Sequence, residues 1–392
     1  MTERPGLLRV ASRELGRIGG RPLYPLLLVV LPLVSFALLW SIFSAGVVQD
    51  LPIAVIDRDG SPLSRQLVRM LDANQSLAVT RRVASGQAAE HLMLAGEVYG
   101  AVLIPADLER DVLRGVPAVV TVYRNAQFML PSGIIRRDVL ATVATLSAGI
   151  EIRRREARGQ TSDQARAQFE PIGVERRALF NPWLNYVYFL VSSLLPAMLQ
   201  IFIMVATVHA VGSELKDSTS RQWLAAAGGS VTRAMVGKLL PYAVTSVVVA
   251  LFMLSLITEY IGAPLQGDLP TLVLGTLLFV LACQGVGTLL AACFANLRLA
   301  TSTAAFLSTP AFAFAGLTFP AAAMPPLASA WSAVLPLTHY LNILVDQLMR
   351  GAPAATSLPA LATLAGFAIL APLVALPRLA RVLSTERYWG RR

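Results

Sequence analysis

Six stretches of this chain contain no aspartate, glutamate, lysine or arginine: residues 22–49, 178–213, 239–258, 269–297, 299–345 and 351–377. A helix needs about 20 apolar residues to cross a bilayer, and every stretch reaches that length. Charged residues make up 14% of the whole, against about 25% in soluble domains. The sequence therefore predicts a polytopic α-helical membrane protein with about six transmembrane helices. The fifth stretch is long enough for more than one element, and Pro310, Pro320, Pro325, Pro326 and Pro336 interrupt it. It is expected to form a span followed by a re-entrant or interfacial hairpin over 319–350. The first stretch exceeds the core of a cleavable signal peptide and is read as a retained anchor.

Basic residues near helix ends favour the cytoplasm. Arg4, Arg9, Arg13, Arg17 and Arg21 precede the first stretch, Lys216, Arg221, Arg233 and Lys238 follow the second, and Arg298 divides the fourth from the fifth. Arg378, Arg381, Arg387, Arg391 and Arg392 follow the last. The opposite short loops offer Arg350 beside Glu259, Asp268 and Asp346. Both termini are expected in the cytoplasm, which requires an even number of spans. The net charge of +10 follows this topology, and no nucleic-acid partner is expected.

The expected organisation is a cytoplasmic amphipathic helix over 1–21 and a first span over 22–44. An extracytoplasmic domain follows over 45–182, then five further spans within 183–382 and a cytoplasmic tail over 383–392. The domain alternates strands and helices. Leu51–Ile56 reads as a strand, and Ser61-Pro62 opens a helix with a capping hydroxyl and a proline in its first turn. Residues 77–83, 98–104 and 118–123 read as further strands, with helices over 86–95 and 107–114 between them. This order predicts a mixed α/β domain. From Ile134 to about Arg158 the pattern is helical, and Ile135, Val139, Val143, Leu146 and Ile150 share one side. Asp57 and Asp59 read as a solvated turn rather than a metal pair. Trp183, Tyr186 and Tyr188 suit the interfacial belt where the chain returns to the bilayer.

In the N-terminal helix, Leu7, Leu8, Ala11, Leu15 and Ile18 form one face, while Arg9, Arg13 and Arg17 recur every four residues on another. Such a helix can lie among lipid headgroups and touch a cytoplasmic partner. The loop 212–238 contains Gly237-Lys238, but position 232 is Thr and Leu239 follows the lysine, so no phosphate-binding loop is formed. No nucleotide site is found. The span cores lack a carboxylate, so a proton-driven pathway is not expected. Cys283 and Cys293 are read as small buried residues, and His339 as structural.

Particular motifs go further. Gly316-Leu317-Thr318-Phe319-Pro320, Met324-Pro325, Leu335-Pro336-Leu337-Thr338-His339-Tyr340 and Arg350-Gly351 together resemble the C-terminal signature of ABC-2 type exporter permeases. Within it, Gly316, Phe319, Pro320, Met324, Pro325, Pro336 and Thr338 carry the likeness. Ala54-Val55-Ile56-Asp57, Leu63–Leu67, Gly100–Pro105 and Arg114-Gly115 are similar to the external domain of the six-span branch with a large loop after the first span.

The resemblance implies two paired permease subunits, identical or paralogous, each docking a separate ABC ATPase through the N-terminal helix and the loop after the second span. Arg9, Arg13, Arg17, Glu214, Lys216, Asp217 and Thr219 are the candidate coupling residues it implies. Ser218 stands where the family usually has glycine, Arg221 where it has an acid, and Gly228 where it has proline, while Gly237–Pro241 fits again. Glu214 is expected to pair with a basic residue of the ATPase. The chain is expected to hold no cofactor and no catalytic residue, since ATP and magnesium belong to the ATPase. The resemblance also implies a bacterial inner-membrane location, amphiphilic or drug-like cargo and a periplasmic adaptor as a further partner. The competing expectation is a non-transporting receptor or assembly factor that acts through the external domain.

Overall fold

The computed structural model describes residues 5–44, 46–159, 180–181, 185 and 187–390. Trp183 and Tyr186 of the expected interfacial belt lie outside them, as does most of the polar stretch that follows Arg158. The chain forms two compact units, Val47–Arg177 and the remainder.

In the smaller unit, β1 (Leu51–Asp57), β2 (Leu77–Arg82), β3 (Gly100–Ile104) and β4 (Thr121–Arg124) form one sheet in the order β2-β1-β3-β4. β1 runs parallel to β2 and β3, and β4 is antiparallel to β3. The central strand is covered on both faces, which is why it reads as a continuous apolar run. Ile53 and Val55 meet Leu67, Leu71, Ile135 and Val139 on one face, while Ala54 and Ile56 meet Ala89 and Ala101 on the other. The helix Pro62–Asp72 starts where its cap predicts, with Ser61 Oγ accepting from Ser64 N. Asp57 Oδ1 accepts from Asp59 N and Gly60 N, each at 3.0 Å, which makes the acidic pair a backbone-bonded turn. The last helix among the described residues of this unit runs Met129–Glu156, beginning earlier than its apolar period suggests because Pro131 is tolerated in a first turn.

In the larger unit, five helices among the described residues are long and apolar enough to cross a membrane: Leu23–Phe43, Val187–Lys216, Val231–Tyr260, Leu269–Phe294 and Ala354–Ser384. The first, second and third contain five-residue π segments at Leu26–Val30, Val187–Val191 and Leu256–Tyr260. The first two of these lie just before Pro32 and Pro196, where the missing N–H breaks the regular ladder. The fourth and last helices pack closely. A Cβ on Gly285 would lie 2.6 Å from the carbonyl oxygen of Phe367.

The fifth apolar run differs from a single span. Leu297–Ser308 has 12 residues, about 18 Å of helix, too short for a hydrocarbon core of about 30 Å. It continues through Pro310 into Ala311–Phe314. Gly316, in the left-handed region, then turns the chain into two short helices, Pro326–Val334 and Pro336–Val345, which meet at Leu335. Prolines open both short helices, so the apolar sequence is long but the helices are not.

Candidate functional site

The charged residues before the first span and around the second loop converge on one buried cluster. Glu14, Glu214 and Lys238 have side chains with 0% exposure. Lys238 Nζ donates to Glu14 Oε1 at 2.6 Å and to Glu214 Oε1 at 2.8 Å. Arg13 grips Glu214 with both guanidinium nitrogens, at 2.8 and 3.0 Å. Arg17 pairs with the same carboxylate and donates to Ser213 Oγ at 3.2 Å. Thr219 Oγ1 donates to Glu214 Oε2, and Tyr242 donates to Glu14 at 3.4 Å. Trp223 closes the cluster. Its ring centroid lies 4.8 Å from Lys238 Nζ, and its indole N–H donates to the carbonyl of Ala234.

Local sequence explains how these elements meet. The helix Leu7–Gly20 buries Val10, Ala11 and Glu14 against the start of the third span. Contact is this close because position 237 has no side chain. A Cβ there would lie 2.7 Å from Leu7 O and 2.8 Å from Val10 Cβ. The apolar face expected from the sequence is therefore divided, with Leu8 and Leu15 exposed. Arg13 and Arg17, on another face of the helix, reach Glu214. Four elements are joined: the N-terminal helix, the end of the second span, the loop helix Ser220–Ala226 and the start of the third span.

The cluster holds two carboxylates and three cations. An isolated buried charge is strongly unfavourable, and here each carboxylate meets at least one cation within hydrogen-bond distance. Burial acts to lower the pKa of Arg17, but the carboxylates of Glu214 and Glu14 outweigh it and raise that pKa above its ordinary value. Such an arrangement fixes geometry. The charged oxygens of Glu214 are taken up within the chain by Arg13, Arg17, Thr219 and Lys238.

Of the other expected coupling residues, Asp217 lies at the margin, 2.9 Å from Arg21. Lys216 is exposed and borders a polar cleft with His209 and Arg298. Arg9 is exposed along an open groove with Ser12, Arg13, Gln222 and Ala225. Glu14, Lys238, Tyr242 and Trp223 were not among the expected residues. Glu14 had a legible signal, since it shares a helix face with Leu7, Ala11 and Ile18. Lys238 is one of only two lysines in the chain and directly precedes an apolar run.

The signature residues of the fifth run serve a second junction. Helix Pro336–Val345 has no side-chain cap of its own. Gln200 of the second span supplies an acceptor, its Oε1 receiving Leu337 N–H at 3.1 Å. Thr338 Oγ1 lies 3.3 Å from Ser332 Oγ of the preceding short helix. Tyr340 stacks on Phe279 at 4.5 Å between centroids and shares a hydrogen bond with Thr276. At the far end, Gln347 Oε1 accepts from Asp268 N at 2.7 Å and its amide donates to Ser357 Oγ at 3.0 Å. Pro336 and Thr338 thus lie inside this junction, whereas Phe319 is half-exposed. Met324 and Pro325 join the turn Ala321–Ala323 to the first short helix. His339 Nε2 lies 3.0 Å from the carbonyl oxygen of Ala333. Cys283 is buried, but Cys293, expected to be so, is exposed.

Comparison with known proteins places this sequence among membrane permeases. The family model described as ABC-2 family transporter protein matches residues 26–376. The inner membrane transport permease YhhJ of Escherichia coli strain K12 is 23% identical over 344 residues, covering 82% of this chain and 84% of its own. The probable multidrug ABC transporter permease YbhS of the same strain is 24% identical over 273 residues, covering 66% of each chain.

Proposed function

This chain belongs to the ABC-2 family of transporter proteins, and from that premise we propose that it is the permease subunit of an ATP-driven exporter. Membership makes it the membrane component of a transporter that works with an ABC ATPase. The finer reading is that it moves amphiphilic or drug-like molecules outward across a bacterial inner membrane. The multidrug designation of YbhS supports that cargo class. Two permease subunits, identical or paralogous, form the path, and a periplasmic adaptor can extend it. The termini lie in the cytoplasm, as the arginine asymmetry requires. The even span count this needs is met if Leu297–Ser308 and Ala311–Phe314 together make a broken fifth crossing.

The observation that carries the proposal is the buried cluster of Glu14, Glu214 and Lys238. A force applied to the N-terminal helix reaches the second and third spans through ion pairs, and one applied to the loop helix Ser220–Ala226 reaches the third span through Trp223. The ATPase docks on the exposed side of this assembly, along the groove bordered by Arg9 and Gln222, and Glu214 acts behind the contact. Glu214 is a positioning residue in this scheme, holding Arg13, Arg17 and Lys238 in register.

Reconstitution with the cognate ATPase tests both roles. Arg9→Glu is expected to weaken ATPase co-purification while the permease inserts normally. Glu214→Gln keeps the side-chain shape, and is expected to retain ATPase binding but lose cargo-stimulated hydrolysis. Unchanged stimulation in Glu214→Gln would remove the lever. Failure of any ATPase to co-purify with the unmodified chain would remove the exporter reading.

A further inference from the structure

The smaller unit contains a cleft that the permease reading does not use. It has a volume of about 520 Å³, within the roughly 300–1,000 Å³ typical of small-molecule sites. Its origin lies in the long helix Met129–Glu156. The apolar stripe of that helix begins with Ile135 and Val139, both fully buried against the sheet. The same stripe continues through Val143, Leu146 and Ile150, which are only half-buried. These three face the cleft, opposite Leu108 and Val112 of the neighbouring short helix. Among the described residues the stripe thus runs on past the surface that covers its first half, leaving an apolar trough where the core would otherwise continue.

The chemistry at one end of the trough is different. Glu151, Arg154 and Arg155 border it. Glu151 and Arg155 pair with each other at 2.7 Å. Arg154 has no acidic partner among the described residues. Its guanidinium lies over Gly115, which follows the short helix at φ 79° in the left-handed region. A Cβ at position 115 would come within 2.8 Å of the Arg154 guanidinium. The glycine therefore lets the cation lie flat at the mouth of the cleft, where a side chain would displace it.

We propose that this cleft binds a single anionic amphiphile, its acyl chain along Val143, Leu146 and Ile150 and its carboxylate or phosphate on Arg154. Burying the chain removes apolar surface from water on both sides of the contact. The headgroup stays at the rim, where Arg154 makes a charge-assisted hydrogen bond. A protein helix seated in the trough would satisfy the apolar wall but would not need the anion at its end. The cargo class of the permease reading gives this site its purpose, but binding here requires neither ATP nor an ATPase, so either idea can fail alone.

Photolabelling of the full chain in phosphatidylcholine nanodiscs tests the assignment, with photoreactive dodecanoate as the probe and photoreactive dodecylammonium as the counterpart. Dodecanoate is expected to label peptides from 108–118 and 143–155, and unlabelled dodecanoate should compete. Losing one hydrogen bond to a charged group, as in Arg154→Gln, should reduce that labelling about tenfold or more. Gly115→Ala should reduce it too, because the new methyl displaces the guanidinium and strains the left-handed backbone beneath it. Protease resistance of the smaller unit reports that each variant is folded. Equal labelling by the ammonium probe, or unchanged labelling in folded Arg154→Gln, would overturn anion recognition. Absence of cleft labelling above that of the apolar spans would overturn the site itself.

Discussion

The larger unit is tied together at two places by very different polar chemistry. At one junction the N-terminal helix and the second and third spans meet through ionised groups, Glu14, Glu214, Arg13, Arg17 and Lys238. At the other, the two short helices of the fifth run are joined to the second, fourth and last spans through neutral amides and hydroxyls, chiefly Gln200 and Gln347. Buried ion pairs are poor sources of net stability, because desolvation cancels much of their attraction. Neutral amides carry a smaller desolvation cost and satisfy backbone groups that have no other partner. The ionic junction therefore gives a geometry in which each member depends on the others. The neutral junction gives a local repair of helix ends broken by proline.

Removing a member of the ionic junction should break this comparison most sharply. Lys238→Met takes from Glu14 its nearest cation, at 2.6 Å, while Glu214 keeps Arg13 and Arg17, and breaking a buried pair by removing one partner costs about 3–5 kcal/mol. Thermal unfolding followed by helix content in a fixed detergent should show the loss. Adding Glu14→Gln should recover part of it, since the carboxylate that lost its nearest cation is then neutral. If Lys238→Met unfolds no more easily than the unmodified protein, the cluster is not a mutually dependent unit.

The neutral junction should respond less. Gln200→Leu removes the acceptor for Leu337 N–H, and one buried unsatisfied donor costs about 1–3 kcal/mol. Gln200→Glu restores an acceptor oxygen but introduces a charge beside apolar neighbours, so it should not rescue. The same melting experiment ranks the two junctions. A larger loss for Gln200→Leu than for Lys238→Met would reverse their order.

These two junctions differ equally in how far the sequence disclosed them. The long helices were legible because charge-free runs of span length have few other solutions. The central strand of the smaller unit was legible because Leu51–Ile56 is apolar throughout and ends at Asp57. The fifth run showed its breaks in its prolines, but periodicity could not say that its first helix stops after Ser308. Arg13, Arg17, Glu214 and Thr219 stood out by position and by resemblance. Their mutual contacts did not, because residues about 200 apart in sequence meet only once the spans pack. Glu14 was legible only as a carboxylate on the apolar face of its helix, and Lys238 only as a rare lysine before an apolar run; that the two pair is set by the packing. Gln200 gave no signal, since a single amide in an apolar helix does not reveal which backbone it will cap.

A third, exposed contact sharpens the comparison from its weak side. The chain end folds back onto the ionic junction. Gly390 N donates to Leu215 O at 2.9 Å, and Glu386 pairs with Arg221 of the loop helix. The Arg221 guanidinium also lies 5.3 Å from the centroid of the Trp389 ring. Arg221 stands where the family it resembles usually has an acid, and it finds an acid in Glu386 instead. Both partners are well exposed, at 75% and 65% of the side chain. Water and salt screen such a pair, which is worth about 0–1 kcal/mol. Arg221→Ala should therefore shift the melting transition little, and less still at high salt. Its effect should appear locally, as faster proteolysis of the chain end with the spans unchanged. A destabilisation matching that of Lys238→Met would mean that the tail belongs to the ionic junction rather than resting on it.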